Sequence, residues 1–423
     1  MKNSFRKVKL PSGLRVILVP MKGGLNATCA VLVEAGSKYE TKDINGLSHF
    51  LEHMCFKGTT NRPGPKEISA ELDGLGAQYN AFTSREFTSY YAKVRSESLP
   101  KALEIIADMY LNPIFDAKEI EKERGVIIEE INMYEDTPKR KVGDLFMELV
   151  YGDQPAGWDI AGRKEVIERL TREDFIKYRS ENYLAPATVV VVAGNFDPDK
   201  VQKEVEIMFA GLGNGRKKEK PKVVESQSAP RELIHFKESD QTHLVMGFRA
   251  FPVFDERRFT LNVLTDILGG GMSSRLFTKV RDELGAAYYV GASADLYSDH
   301  GLAEMVAGVN HKKIEDVIKA SLEEFARFRD ELVPEPELAR AKEHILGNFF
   351  LSLETTDEVA FYYGSDEIMG LPIITPEEVA EKIRRVTAED IRAVARDLFR
   401  NEGLNLAVIG PFRDKSFGDI LKV

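Results

Sequence analysis

LTREDF at residues 170–175, followed by VVVVAGNF at 189–196, returns as VTAEDI at 386–391 and LAVIGPF at 406–412. The spacing between the copies is the same at Asp174/Asp390 as at Gly194/Gly410. In each copy a Thr-x-x-Asp capping signal opens a helix that runs into an apolar strand and a glycine turn. A constant offset across helix, strand and turn reads as an internal duplication. Between the copies, GLGNGRKKEKPKVVESQSAP at 211–230 mixes glycine, proline and charge without apolar periodicity, which is the composition of a linker. The expected division is an N-terminal domain over 1–210, a linker over 211–230 and a C-terminal domain over 231–423.

Working outward, the first half opens with a hairpin, VKL–PSG–LRVILVP, and a strand, ATCAVLVEA. Helical patterns follow near 46–57 and 65–75, then the strand-like AQYNAF and TSYYAKV, then long helical patterns over 98–111 and 116–150. The second half repeats the order: strands over 231–250, helices over 255–282, strands over 285–310 and long helices from 311 to 400. Hairpin-like strands with helices grouped between them predict an α+β fold: two duplicated halves, each a mainly antiparallel sheet covered by helices on one face.

Composition narrows the function. Apolar residues make up 43% and charged residues 30%, as in a soluble globular chain. The net charge of −10 and the lack of an arginine-rich stripe exclude a general nucleic-acid binder. The densest apolar run, VVVVA at 189–193, is strand-sized, so no membrane span is expected. The start, MKNSFRKVKL, has no apolar segment behind its charge, and Cys29 and Cys55 form no disulfide framework. A reducing, cytoplasmic location is the expectation.

The chemistry lies in GLSHFLEHMCFKGT, residues 46–59. On a helix His49 and His53 project from one face, one turn apart, so both imidazoles reach one tetrahedral ion. Glu52, adjacent to His53, leans to the same side, where it would take a proton from a water held at the metal. His-x-x-Glu-His is the inverse of the commoner zinc-peptidase order. A third ligand is required, and EIEKERGVIIEEINMYEDTP at 119–138 offers one. Glu123 and Glu130, seven apart, share a helix face. Glu130 sits where the helix turns apolar, a costly place for a carboxylate unless a cation meets it. Cys55, beside this site, reads as a buried structural residue.

HFLEHMCFKGT, followed well downstream by Glu130 in ERGVIIEEI, resembles the pitrilysin (M16) family of inverted zinc peptidases. Its branch containing the mitochondrial processing peptidase and its bacterial relatives is the nearest. NAFTSREFTSYYAK at 80–93, GGGMSSRLF at 269–277 and VRDELGAAYYV at 280–290 extend the resemblance over nearly the whole chain. It implies His49, His53 and Glu130 as ligands of one zinc per chain, Glu52 as general base and Glu123 as a supporting acid. It also implies that Asn80 and Ala81 hold an extended substrate, and that the C-terminal half lends it Arg281 and Tyr288. At the offset of the duplication His49, Glu52 and His53 fall on Thr265, Leu268 and Gly269, so the second copy is expected to lack a metal. GGGMSSRLF lacks the Gly-Lys-Ser/Thr ending of a phosphate-binding loop and reads as a peptide-contact segment.

The resulting expectation is a zinc-dependent endopeptidase that hydrolyses short or unfolded peptides in an enclosed chamber, as a homodimer, with a hetero-oligomer as the alternative assembly. The rival readings are a non-catalytic scaffold and a partner-dependent subunit. Loss of His49, Glu52, His53 or Glu130 would have signalled the first, and a glycine-rich loop without the zinc triad the second; all four residues are present, and the chain has both loop and triad.

Overall fold

The computed structural model describes residues 5–423. Its strands, in chain order, are β1 (Arg6–Lys9), β2 (Arg15–Pro20), β3 (Asn26–Val33), β4 (Gln78–Thr83), β5 (Thr88–Arg95), β6 (Thr188–Gly194), β7 (Arg231–Phe236), β8 (Thr242–Ala250), β9 (Ala287–Leu296), β10 (Gly301–Val309) and β11 (Leu404–Gly410). The helices of the first half are α1 (Leu47–Met54), α2 (Pro65–Gly74), α3 (Leu99–Leu111), α4 (Ala117–Glu135), α5 (Pro138–Tyr151), α6 (Lys164–Ile167), α7 (Arg172–Asn182) and α8 (Pro198–Met208). Those of the second are α9 (Arg258–Gly269), α10 (Ile314–Asp330), α11 (Glu335–Ser352), α12 (Thr356–Met369), α13 (Pro376–Arg385) and α14 (Ala388–Leu398).

The helical pattern over 116–150 is two helices. Pro138 lacks an N–H and takes the first position of α5, so α4 ends before it.

The duplication is legible in the topology. One sheet runs β1-β2-β6-β3-β5-β4 and the other β7-β11-β8-β10-β9. In each, one pair is parallel, β2 with β6 and β7 with β11, and the remaining pairs are antiparallel. Strands β7, β8 and β11 follow β2, β3 and β6 at the same constant offset that the sequence repeat shows. The capping boxes read from the repeat are both formed, Thr171 with Asp174 and Thr387 with Asp390.

Two compact units result, and they are not simply the two halves of the chain. One comprises the described residues up to Ile131 with 159–221 and 351–375; the other comprises 132–158, 222–350 and 376–423. The exchanged segments carry α12 and α5. Strands β3 and β6 are buried along almost their whole length, so both faces of the first sheet need cover. α3 packs on β3 and β5, while Val359, Ala360 and Tyr363 of α12 pack on Ile17, Ala30, Leu32, Val189 and Val191. In the second unit Val142, Phe146 and Val150 of α5 fill the same role against Val245, Ala407 and Ile409. Cover on a single face, as the strand pattern suggested, therefore becomes cover on two.

β4 is an edge strand of the first sheet, hydrogen-bonded only to β5 among the described residues. α1 packs beside it. Gly46, the residue before α1, has φ +97°, and a Cβ there would come within 2.6 Å of the Ala161 carbonyl oxygen. Only glycine admits this left-handed turn against a neighbouring backbone, and the turn aims α1 at α4.

Candidate metal centre

α1 places the two imidazoles as the spacing predicts, with ring centroids 4.7 Å apart and edge to face. α4 brings Glu130 to both of them. His49 Nε2 lies 3.6 Å from Glu130 Oε1, and His53 Nε2 lies 3.5 Å from Glu130 Oε2. One ligand atom from each of the three residues falls within 4.8 Å of the others. Donors bound tetrahedrally at the usual zinc distances are separated by about 3.3–3.5 Å. The two imidazoles and one carboxylate thus fit a zinc ion in chemistry and in spacing.

A second layer orients these groups. His53 Nδ1 lies 2.8 Å from Glu123 Oε1, and Glu123 Oε2 lies 2.7 Å from Lys57 Nζ. Burial opposes ionisation of Glu123, but the His53 and Lys57 partners outweigh it and hold the carboxyl below its ordinary value. An ionised Glu123 accepting from Nδ1 leaves the His53 Nε2 lone pair directed at the metal position. Glu52 is buried, and its Oε2 accepts a 2.5 Å hydrogen bond from Thr83 Oγ1 on β4. Burial raises its carboxyl above the ordinary value; Thr83 and His53 pull it down, and Glu130 pushes it up. A desolvated carboxylate beside the three donors has the properties of a proton acceptor.

Asn80 and Ala81 lie on β4, with the Ala81 N–H accepted by the Asn80 side-chain oxygen at 2.9 Å. Arg281 and Tyr288 lie in the second unit, Arg281 in the short helical segment Phe277–Glu283 and Tyr288 on β9, 68% exposed. Cys55 is fully buried and its thiol meets the Tyr90 hydroxyl, a structural setting. Lys57 and Thr83 lie inside the stretches HFLEHMCFKGT and NAFTSREFTSYYAK, but the sequence assigns neither a role, because each acts across elements distant in the chain, which periodicity does not reveal.

The second unit closes the equivalent crevice. A Cβ on Gly269 would fall 2.4 Å from the Ala292 backbone nitrogen, so α9 rests directly on β9. Thr265 bonds back to the Leu261 carbonyl and Leu268 is buried. Among the described residues only the His49–His53–Glu130 group could hold a metal.

Residues 15–164 match the domain described as Insulinase (Peptidase family M16), and residues 169–345 match the Peptidase M16 inactive domain. An uncharacterized zinc protease of Bacillus subtilis is 36% identical over 95% of this chain and 97% of its own. The chain belongs to peptidase family M16. An uncharacterized zinc protease of Rickettsia felis is also 36% identical, over 97% of this chain and 98% of its own. A protease from Helicobacter pylori shares the fold, with a TM-score of 0.89 at 23% identity over 97% of this chain and 100% of that one. Family M16 is a family of metallopeptidases, and this chain is an enzyme of that class. No described helix is long and apolar enough to cross a membrane.

Within this candidate centre, the Glu123 link makes a graded prediction. Glu123→Gln keeps a bond to His53 but no longer pins the ring through a charge. Zinc affinity should fall by about 10–100-fold, the usual cost of losing a partner behind a ligand. Activity should return when zinc is raised by the same factor. Titration against a chromogenic chelator measures the first, and assays across zinc concentrations measure the second.

Proposed function

We propose that this chain is a zinc-dependent endopeptidase that hydrolyses short or unfolded peptides held in extended conformation. The observation that carries the reading is the convergence of His49, His53 and Glu130 with Glu52 alongside. His49, His53 and Glu130 would hold one zinc per chain. Zinc, when bound, supplies a Lewis acid for the scissile carbonyl and acidifies water at neutral pH. Glu52 accepts the proton of the attacking water and returns it to the leaving amine. Thr83 holds the Glu52 carboxylate in place for both transfers, and Glu123 fixes the His53 ring.

The substrate backbone would add to the open edge of β4, at Asn80 and Ala81. There the Asn80 side-chain oxygen already stands in for a peptide carbonyl at the Ala81 N–H, so an incoming strand would displace it. By resemblance, Arg281 and Tyr288 serve as donors to the developing oxyanion. Cytoplasmic location and a homodimer belong to the same reading. Restriction to short or unfolded chains follows from the enclosed chamber that the resemblance implies.

The test is a comparison of zinc content and cleavage on an unstructured peptide library and on a stably folded protein. About one zinc per chain, internal cuts in the peptides and an intact folded protein are expected. A chelator should stop cleavage, and added zinc should restore it. Zinc binding with no cleavage at any site would overturn the reading in favour of a partner-dependent or structural subunit.

A further inference from the structure

The helix that carries His49, Glu52 and His53 has no cap of its own. Its N-cap residue is Gly46, which offers no side chain, and the backbone N–H groups of the first turn have no partner within the helix. A residue upstream of Gly46 supplies what is missing. Glu40 is 2% exposed, and its Oε1 accepts a hydrogen bond from the Ser48 N–H at 2.6 Å. Its Oε2 accepts from the Gly46 N–H at 2.8 Å and from Asn45 Nδ2 at 3.0 Å. A carboxylate at this end also meets the positive pole of the helix dipole.

The surroundings of Glu40 fix it in turn, and they reach the proton acceptor. The 3₁₀ turn Ser37–Tyr39 precedes it, with the Ser37 N–H donating to the Ser84 carbonyl at 3.3 Å and the Lys38 N–H to the Arg85 carbonyl at 2.9 Å. The Lys38 ammonium, fully buried, pairs with Glu86 at 3.1 Å. These anchor Glu40 to the turn between β4 and β5, the same turn that begins at Thr83, the partner of Glu52. On the other side Asn45 Nδ2 donates to the Asp159 carbonyl at 3.0 Å, and the Ser48 hydroxyl meets the Tyr178 hydroxyl at 2.7 Å. One short segment thus registers α1 against the strand that holds the base.

We propose that Glu40 is a positioning residue for the reaction: by capping α1 through Gly46, Asn45 and Ser48, it sets the helix so that His49, His53 and Glu52 meet Glu130 and Thr83 in working geometry. The proposal rests on the reading of α1 as the metal-bearing helix. Burial pushes the Glu40 carboxyl up to about 7 against the pull of its donors. A serine or aspartate at the position of Gly46 would cap more simply, but that position needs glycine for its left-handed turn.

The experiment compares wild type, Glu40→Gln, Asn45→Ala and a core control, Ile106→Val, all as full chains. Glutamine keeps the size but turns an amide donor toward N–H groups that also donate, so the end of α1 must shift. The expected result is zinc affinity reduced by about 10–100-fold for Glu40→Gln, with kcat at saturating zinc reduced about tenfold or more and KM unchanged. Asn45→Ala, which keeps Glu40 and its bonds to the backbone of α1, should show the same pattern at a few-fold and stands in if Glu40→Gln does not fold. Ile106→Val lowers the melting temperature without either effect. If both cap variants lower only the melting temperature, as the control does, Glu40 is a structural cap and the proposal is overturned. If wild type binds no zinc, the reading of α1 itself fails and this proposal falls with it.

Discussion

Glu52→Gln should lower kcat by about 10²–10⁴-fold, the range a positioned general base supplies, while the chain keeps its zinc. Glutamine has the size of glutamate, and its carbonyl oxygen can still accept from Thr83 Oγ1, so the local geometry survives. What it cannot do is take a proton from water. Glu52 does not belong to the group of three that could hold the metal, so zinc content should match wild type. Stability gives an independent check. Burial raises the Glu52 carboxyl above its ordinary value, so ionising it costs folding stability as pH rises through that raised value. The amide carries no such cost, and the metal-free variant should melt no lower than metal-free wild type at neutral pH. Zinc analysis, steady-state kinetics on an unstructured peptide and thermal melts read the three quantities together. A variant that keeps more than a tenth of wild-type kcat would move the base to another residue.

The parts of this site that the sequence discloses are those set by local geometry. His49 and His53 are four apart, and a helix alone brings them together. Glu130 stands far beyond His53 in the chain and on a different helix, and only its environment marks it, a carboxylate in the apolar stretch of α4. The duplication shows because strands and caps recur at a constant offset, which folding preserves in the shared strand order. The exchange of α5 and α12 does not show. An amphipathic pattern says that a helix buries one face, but Val142 and Phe146 carry no mark of which sheet they will meet. Glu40, Lys57 and Thr83 stay hidden for a related reason: each acts on a partner through one or two polar atoms. The break at Pro138 is missed for a different reason: the helical pattern continues on both sides of it and masks a boundary that proline, with no N–H to donate, imposes.

Glu130→Ala should abolish both high-affinity zinc binding and cleavage, and it separates the two acids of α4. Two imidazoles on one turn of α1 leave a zinc ion two protein ligands short of a closed site and one short of a catalytic one. Loss of the third should therefore cost more than the 10–100-fold expected for Glu123→Gln. The Glu130 side chain is 20% exposed, and its contacts with His49 and His53 are long, 3.6 and 3.5 Å, for hydrogen bonds. Glu123→Gln should lower the metal-free melting temperature, because His53 and Lys57 hold its buried carboxyl below the ordinary value, so each variant is read against its own metal-free melt. Zinc at a thousand times its dissociation constant stabilises wild type by about 4 kcal/mol. Glu123→Gln should approach that gain at higher zinc, whereas Glu130→Ala should gain little at any concentration short of nonspecific binding. Thermal melts across a zinc series measure this directly. If Glu130→Ala kept the wild-type gain and Glu123→Gln lost it, the carboxylate ligand would be Glu123, and the His53–Glu123 contact would have to open for the ion to bind.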